Sequence, residues 1–236
     1  AVTVMLAKWL GDRQNLYTYR IVFVPEIIGS LCYLSRNFHN MKRNTVAGFN
    51  ITCVGDDRVF SYLPSRNGAT LADRVALKVL EERHPGFARY SYLDRGSDER
   101  QYCSPGVDLP LVSVMRSKYG EYPEYHTSMD NLSLVTATGL QGSFDALRSC
   151  LELLERNRVY RAACVGEPHL ARRGLYPQGS GNNNEWVRHV LDILAYADGT
   201  NDLIALGDVT RIPMTTLIPL VDMLVEAGLL VEEGGG

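Results

Sequence analysis

Leu109-Pro-Leu-Val-Ser-Val-Met115 is a short apolar run between two polar knots. Asp94-Arg-Gly-Ser-Asp98-Glu99-Arg-Gln-Tyr102 stands before it, and Tyr122-Pro-Glu-Tyr-His126-Thr-Ser-Met-Asp130 stands after it. A run this short and this apolar predicts a buried strand. An Asp on one side of a strand and a His on the other can meet at the strand's end. Carboxylate oxygen and imidazole nitrogen suit zinc and similar divalent ions. This stretch is therefore taken as the reactive centre.

Outward from it, strands and helices alternate. Upstream, residues 2–10 carry a helical pattern that ends at Gly11. Tyr19-Arg-Ile-Val-Phe-Val24 predicts an interior strand, stopped by Pro25-Glu26, with a helix from Ile27 to Arg36. Glu26 would thus sit at a strand's C-terminal end, where open α/β sheets place their ligands. Val46–Val54 and Phe60–Leu63 predict two strands joined by a turn at Asp56-Asp57. Thr70 and Asp73 have capping-box spacing and open a helix to Arg83. Arg89–Leu93 alternates as a strand. Downstream, Thr138 and Gln141 predict a second capping box on a helix to Arg156, with Leu140, Phe144, Leu147, Leu151 and Leu154 on one stripe. The alternation predicts an α/β sandwich over residues 1–157.

The texture then changes. Residues 158–184 include Gly179-Ser-Gly-Asn-Asn-Asn184 and read as a linker. Residues 185–236 hold three helical patterns and then a short strand at Ala227–Val231, the outline of a winged helix. Its Pro213–Glu226 helix carries Asp222 and Glu226, which would repel phosphates. Docking or homo-oligomerisation is the expected role, and DNA binding the alternative.

Composition narrows the class. The chain has 236 residues, 45% hydrophobic and 22% charged, with a formal charge of −3. That is enough for a real core, and the net charge argues against coating nucleic acid. No run of about 18 apolar residues exists to cross a membrane. The five cysteines are scattered and lack any C-x-x-C pair, which excludes a disulfide framework or zinc ribbon and implies reduced thiols in the cytoplasm. Cys103 has no recognisable base beside it. The chain opens directly in a helical pattern without Met, which implies that an earlier part is missing.

With these residues laid out, the first 157 positions resemble the C-terminal part of a zinc co-catalytic exopeptidase domain. That fold is shared by leucyl aminopeptidases, glutamate carboxypeptidase and glutaminyl cyclase. Within that group the chain most resembles a bacterial aminopeptidase-like family with a C-terminal winged helix. The motifs are Val24-Pro-Glu26-Ile-Ile-Gly29-Ser30, Gly96-Ser-Asp98-Glu-Arg-Gln-Tyr102 and Glu124-Tyr-His126-Thr-Ser-Met-Asp130. The resemblance implies a three-layer α/β sandwich. It makes Asp98 and His126 zinc ligands, with the remaining ligands upstream of Ala1 and one or two ions bound. Relatives carry two adjacent Glu residues, a base and then a ligand. Here Glu26 falls at the base position and Ile27 at the ligand position, so one metal, or a non-hydrolytic relative, fits equally.

The chemistry implied is hydrolysis of an amide bond in a small peptide or amino-acid amide. Glu26 would act as general base, and Asp130 would orient His126. Tyr102, Tyr122 or Tyr125 would donate to an oxyanion, and Arg95, Arg100 or Arg116 would bind a carboxylate. The alternatives are an inactive regulatory relative and a one-zinc acyl-transfer or cyclising enzyme.

Overall fold

The computed structural model describes residues 1–173, 175 and 183–233. The chain divides into two compact units, Ala1–Glu155 and Arg156–Gly236.

The first unit is built on a four-stranded mixed sheet. Its strands are β1 (Gly48–Asn50), β2 (Ser61–Leu63), β3 (Ala88–Arg89) and β4 (Leu111–Met115), in the order β1-β4-β2-β3. The decisive apolar run is β4, at the middle of the sheet. It pairs parallel with β1, Phe49 opposite Val112, and antiparallel with β2, Tyr62 opposite Val114. Alternation along β4 sends its side chains to two faces. Val112 and Val114 enter a core with Val2, Leu6 and Leu10 of α1 (Val2–Gly11), Ala72, Ala76 and Leu80 of α3 (Leu71–Arg83), and Phe144, Leu147 and Leu151 of α5 (Ala137–Arg156). On the other side, Leu111 packs with Leu34 of α2 (Ile28–Asn44) and Tyr102 of the short α4 (Glu99–Tyr102), while Met115 packs with Leu63 and Tyr119.

Local signals translate directly where they are self-contained. Thr70 caps α3 and Asp73 completes the box, as the spacing predicts. Asp73 does more than cap. It is fully buried, and its carboxylate accepts from Tyr62 Oη (2.6 Å), the Ser65 N–H and Oγ, and the Thr70 N–H. It thereby ties the helix start to β2.

Several expectations are corrected. Among the described residues Tyr19–Val24 joins no sheet, because β-propensity supplies no neighbour. Val46–Val54 shrinks to three paired residues, and β2 pairs with β4 and β3, not back on β1. Cys53, at φ 48, takes the backbone out of the extended region there. Arg89–Leu93 becomes the two-residue β3 followed by a single 3-10 turn. The cap of α5 is Thr136, whose Oγ1 accepts from the Gly139 N–H at 2.9 Å, so Thr138 stands inside the helix.

The second unit has a three-stranded antiparallel sheet in the order β6-β5-β7, with β5 Val159–Ala162, β6 Asp198–Asp202 and β7 Leu230–Glu232. Its helices are α6 (Asn183–Tyr196), α7 (Leu203–Thr210) and α8 (Met214–Glu226). Two corrections apply here. The expected linker 158–184 begins with β5, the central strand of this sheet, and β6 intervenes between the first two helices. The rest of the Gly179–Asn184 stretch lies outside the described residues, apart from the start of α6. The axes of α7 and α8 differ by 118° across Arg211-Ile212-Pro213, with Arg211 left-handed at φ 60. That is helix-turn-helix geometry. Among the described residues no single helix is long and apolar enough to cross a membrane.

Asp73 yields the first prediction. Asp73→Ala leaves buried donors on Tyr62 and Ser65 without a partner. It should cost about 3 kcal/mol of unfolding free energy, read as a lowered urea midpoint. A change under about 0.5 kcal/mol, the range of an ordinary surface substitution, would show that these bonds do not hold α3 to β2.

Candidate functional site

Pro25, Glu26 and Ile27 make a tight turn into α2. The Ile28 N–H donates to the Glu26 carbonyl at 2.7 Å, and Ile27 sits at φ 61, ψ −67. This is the rare γ-turn conformation, strained for a β-branched residue. Such strain persists only where the surroundings over-determine it. Here two side chains from 71 residues away do so. Asp98 Oδ1 accepts the Ile27 N–H at 2.7 Å, and Ser97 Oγ donates to Glu26 Oε1 at 2.6 Å.

The Gly96–Glu99 loop is held in turn by Glu99. This side chain is fully buried. Its Oε1 accepts from the Gly96 N–H (2.7 Å), the Ser97 N–H (2.9 Å) and Tyr119 Oη (2.6 Å), and its Oε2 accepts from Asn50 Nδ2 (3.0 Å). Tyr119 Oη also accepts the Gly96 N–H at 2.8 Å. Burial, followed by the Glu99 carboxylate, pushes the Tyr119 phenol well above its ordinary value. A Cβ on Gly96 would stand 2.6 Å from Tyr119 Cε2, so only glycine fits there.

The segment carrying His126 packs on the cluster that includes Tyr119. Arg58 grips Glu124 with two hydrogen bonds, 2.6 and 3.1 Å. Tyr122 Oη lies 3.7 Å from Cys53 Sγ and meets Tyr125 edge-on, with centroids 5.6 Å apart. Tyr125 packs on the Leu63–Met115–Tyr119 cluster, and the exposed His126 ring stacks on it at 3.9 Å and 16°. His126 is left-handed, at φ 58. Burial, and to a lesser extent Cys53 and the Glu26 carboxylate, raise the Tyr125 phenol. Contacts run from Asp98 and Ser97 to Ile27 and Glu26, and from Tyr125 to His126.

The other expected site residues are placed as follows. Tyr102 is buried with Leu34 and Leu109, a packing environment. Tyr122 and Tyr125 are half-buried beside His126. Asp130 is exposed, and among the described residues no hydrogen bond joins it to His126. Arg95 is exposed, with its guanidinium 4.9 Å from the Tyr92 ring, and Arg100 is exposed. Arg116 is buried, 4.0 Å from the Phe60 ring. Cys103 is buried and pushed up to about 11 by burial, which keeps it a thiol. Sequence reasoning missed Glu99 and Tyr119; the only local signal was an acid beside an acid in Ser97-Asp98-Glu99.

Among the described residues no three His, Cys, Asp or Glu side chains converge as a metal cage would. Asp98 and His126 are donors of the right chemistry for zinc. They fall short of the roughly four donors such an ion takes. The residues present do not by themselves fit the ion.

Comparison with known proteins places this geometry. The first unit is a mixed α/β fold with peptidase-like structural neighbours, and the second is a winged helix. Residues 1–157 match the family described as a domain of unknown function, DUF4910, and the chain belongs to that family. Residues 158–232 match a winged helix-turn-helix family. A Clostridium acetobutylicum protein, provisionally named a polysaccharide biosynthesis protein with aminopeptidase-like domain, is 37% identical over 211 residues, covering 86% of this chain and 47% of its own length. The crystal structure of a provisionally named peptidase from the same organism superposes with a TM-score of 0.88 at 32% identity, over 98% of this chain and 52% of that one. This chain therefore spans about half the length of the relatives it matches. An aminopeptidase from Aneurinibacillus sp. strain AM-1 aligns over 53% of this chain at 18% identity and a TM-score of 0.45, too distant a likeness to carry a fold.

The Glu99 cage is testable. Glu99→Gln should lower unfolding free energy by about 2 kcal/mol. It should also bring the Tyr119 phenol down toward the ordinary value of about 10, followed by the ring carbon resonance across an alkaline titration. The sign follows from the raised folded value. Tyr119 keeps its proton longer folded than unfolded, so its contribution is complete below about pH 10 and is lost as pH rises. An unchanged Tyr119 titration would show that Glu99 does not face it in solution.

Proposed function

We propose that this chain supplies part of the reactive centre of a zinc-dependent aminopeptidase-like hydrolase. In this reading Asp98 and His126 are two ligands of a divalent ion whose remaining donors lie beyond these 236 residues. Zinc, when bound, supplies Lewis acidity to the scissile carbonyl. Glu26 is the general base. It takes a proton from water and returns it to the leaving amine, and Ser97 Oγ fixes the orientation of its carboxylate. Tyr125, stacked on His126, is the better placed of the expected oxyanion donors. The substrate class is a small peptide or amino-acid amide, and the sheet with helices on both faces would be the middle of a three-layer sandwich.

One observation carries this reading: the strained turn at Ile27, which holds Glu26 against Ser97 and Asp98. A packing role alone would not call for a strained backbone next to an exposed acid. The aminopeptidase-like naming of the Clostridium relatives points the same way.

A second reading is favoured by the shortage of donors among the described residues: a relative that keeps the fold for binding. The winged helix fits docking in either case. Three of its arginines face acids, Arg156 to Asp222 at 2.8 Å, Arg158 to Glu232 at 4.0 Å and Arg161 to Glu233. That leaves little positive field for phosphates. A cytoplasmic setting and self-association through this unit belong to the same proposal.

Zinc titration against a competing chromophore separates the two, run on this chain joined to the half of the Clostridium acetobutylicum protein that it does not match. Asp98→Asn keeps an acceptor for the Ile27 N–H but removes the charge, and His126→Ala removes the imidazole. Each should weaken zinc binding about tenfold or more. Glu26→Gln should leave zinc affinity unchanged and abolish amine release from an amino-acid amide. If zinc affinity is the same in all four proteins, the hydrolase reading fails and the binding reading stands.

A further inference from the structure

Thr18-Tyr-Arg-Ile-Val-Phe-Val24 has the composition of a strand, yet no partner among the described residues. Among the described residues, no main-chain N–H or C=O of residues 18–24 takes part in a hydrogen bond. Backbone groups in a folded protein are nearly always paired or hydrated, and a row of free ones on a flat apolar segment is a template for another strand. The side chains repeat the message. Val22 and Val24 are half-buried, while Ile21 is 39% and Phe23 70% exposed. Leu16, Ile28 and Leu31 on either side are exposed at 53%, 72% and 49%. Five large apolar side chains within sixteen residues are more than scattered surface exposure explains.

The occupant follows from the relatives. The fold of this chain recurs almost whole, at a TM-score of 0.88 over 98% of its length, inside a protein of which it covers 52%. The sequence relative shows the same proportion, 47%. Each relative therefore carries about as much polypeptide again. We propose that residues 18–24 form the docking strand for polypeptide equivalent to that other half. One of its strands pairs alongside at the usual spacing of about 4.8 Å, and its apolar side chains cover Ile21 and Phe23. Main-chain bonds would give affinity, and the pockets around alternate side chains would give register. The strand runs straight into Pro25-Glu26 and the strained turn, so docking would also brace the Glu26 carboxylate from its N-terminal side. The inference stands apart from the hydrolase reading, because strand pairing requires neither metal nor turnover.

The test compares this chain with a chimera that joins it, in the relative's own order, to the half of the Clostridium acetobutylicum protein that it does not match. Hydrogen exchange is followed at the amides of residues 18–24. They should exchange freely in the 236-residue chain and slow by roughly tenfold or more in the chimera. Phe23→Asp should leave the melting temperature of the chain unchanged and lower that of the chimera. Equal exchange in the two proteins overturns the proposal. So does a Phe23→Asp that destabilises the chain alone, since Phe23 would then be packed within it. Slow exchange in the chain alone, together with a concentration-dependent dimer mass, also overturns it and assigns the strand to a second copy. None of these readouts involves zinc or substrate, so the outcome is independent of the zinc titration.

Discussion

The hydrogen bond from the Ile27 N–H to Asp98 sets the geometry of this site. A γ-turn at an isoleucine is a conformation the chain avoids when left alone, costing of order 1–3 kcal/mol. Asp98 offsets that cost with a charge-assisted bond, and Ser97 adds a second tie to the neighbouring Glu26. Neither tie would form if the Gly96–Glu99 loop could move. Glu99, buried and accepting four hydrogen bonds, removes that freedom. Support thus passes from the sheet, through Asn50 on β1 and the Tyr119 ring under β4, to an exposed carboxylate at Glu26. Each step fixes the one outside it, which is how a fold positions a side chain to a fraction of an ångström.

How much of this was legible beforehand depends on range. The α3 capping box and the end of that helix at Arg83 were readable because every group involved lies within one turn. The buried run at Leu109–Met115 was readable from its apolarity, and its central place in the sheet agrees. The approach of the Ser97-Asp98 pair to Glu26-Ile27 agrees with motif order. The strain at Ile27 did not, because nothing local distinguishes that isoleucine from its neighbour Ile28. Glu99 was hidden for a similar reason. Its partners Asn50 and Tyr119 come from elements 49 and 20 residues distant, and an acid next to an acid reads as a solvated surface. Thr138 carries the capping-box spacing because Gln141 stands three residues on, whereas the real cap uses only the Thr136 hydroxyl and the Gly139 N–H. The strand predicted at Tyr19–Val24 shows the limit of propensity: side chains record that a segment is fit for a sheet, not whether a neighbour is present.

The second unit obeys a different economy. Its helix-turn-helix corner turns on Arg211 in the left-handed region, where glycine would be the easier residue. Behind the corner, Leu206, Ile212, Leu217 and Leu224 are fully buried, so the fold is specified by packing rather than by the turn. The arginines of β5 are matched by the acids of β7 and its end.

The adjacent pair Asp98 and Glu99 shows how one short motif divides its labour. One step along the chain separates a half-exposed acid from a fully buried one. The buried acid gains three hydrogen bonds on Oε1 and one on Oε2, and every one goes to a group that must stay still. Its charge is tolerable there only because it is so fully satisfied, since a single missing donor would leave a costly unpaired lone pair. Asp98 has a different balance. Only its Oδ1 is taken, by the Ile27 N–H, and it keeps contact with solvent. A carboxylate held at one oxygen and open on the other side is oriented without being used up. That is the condition a ligand or a substrate contact requires, and a fully caged acid cannot meet it. The order Ser97-Asp98-Glu99 therefore reads as tether, presenter and anchor. Exchanging the last two residues would put the open carboxylate in the core and the caged one in water, which neither the sheet nor the strained turn could support.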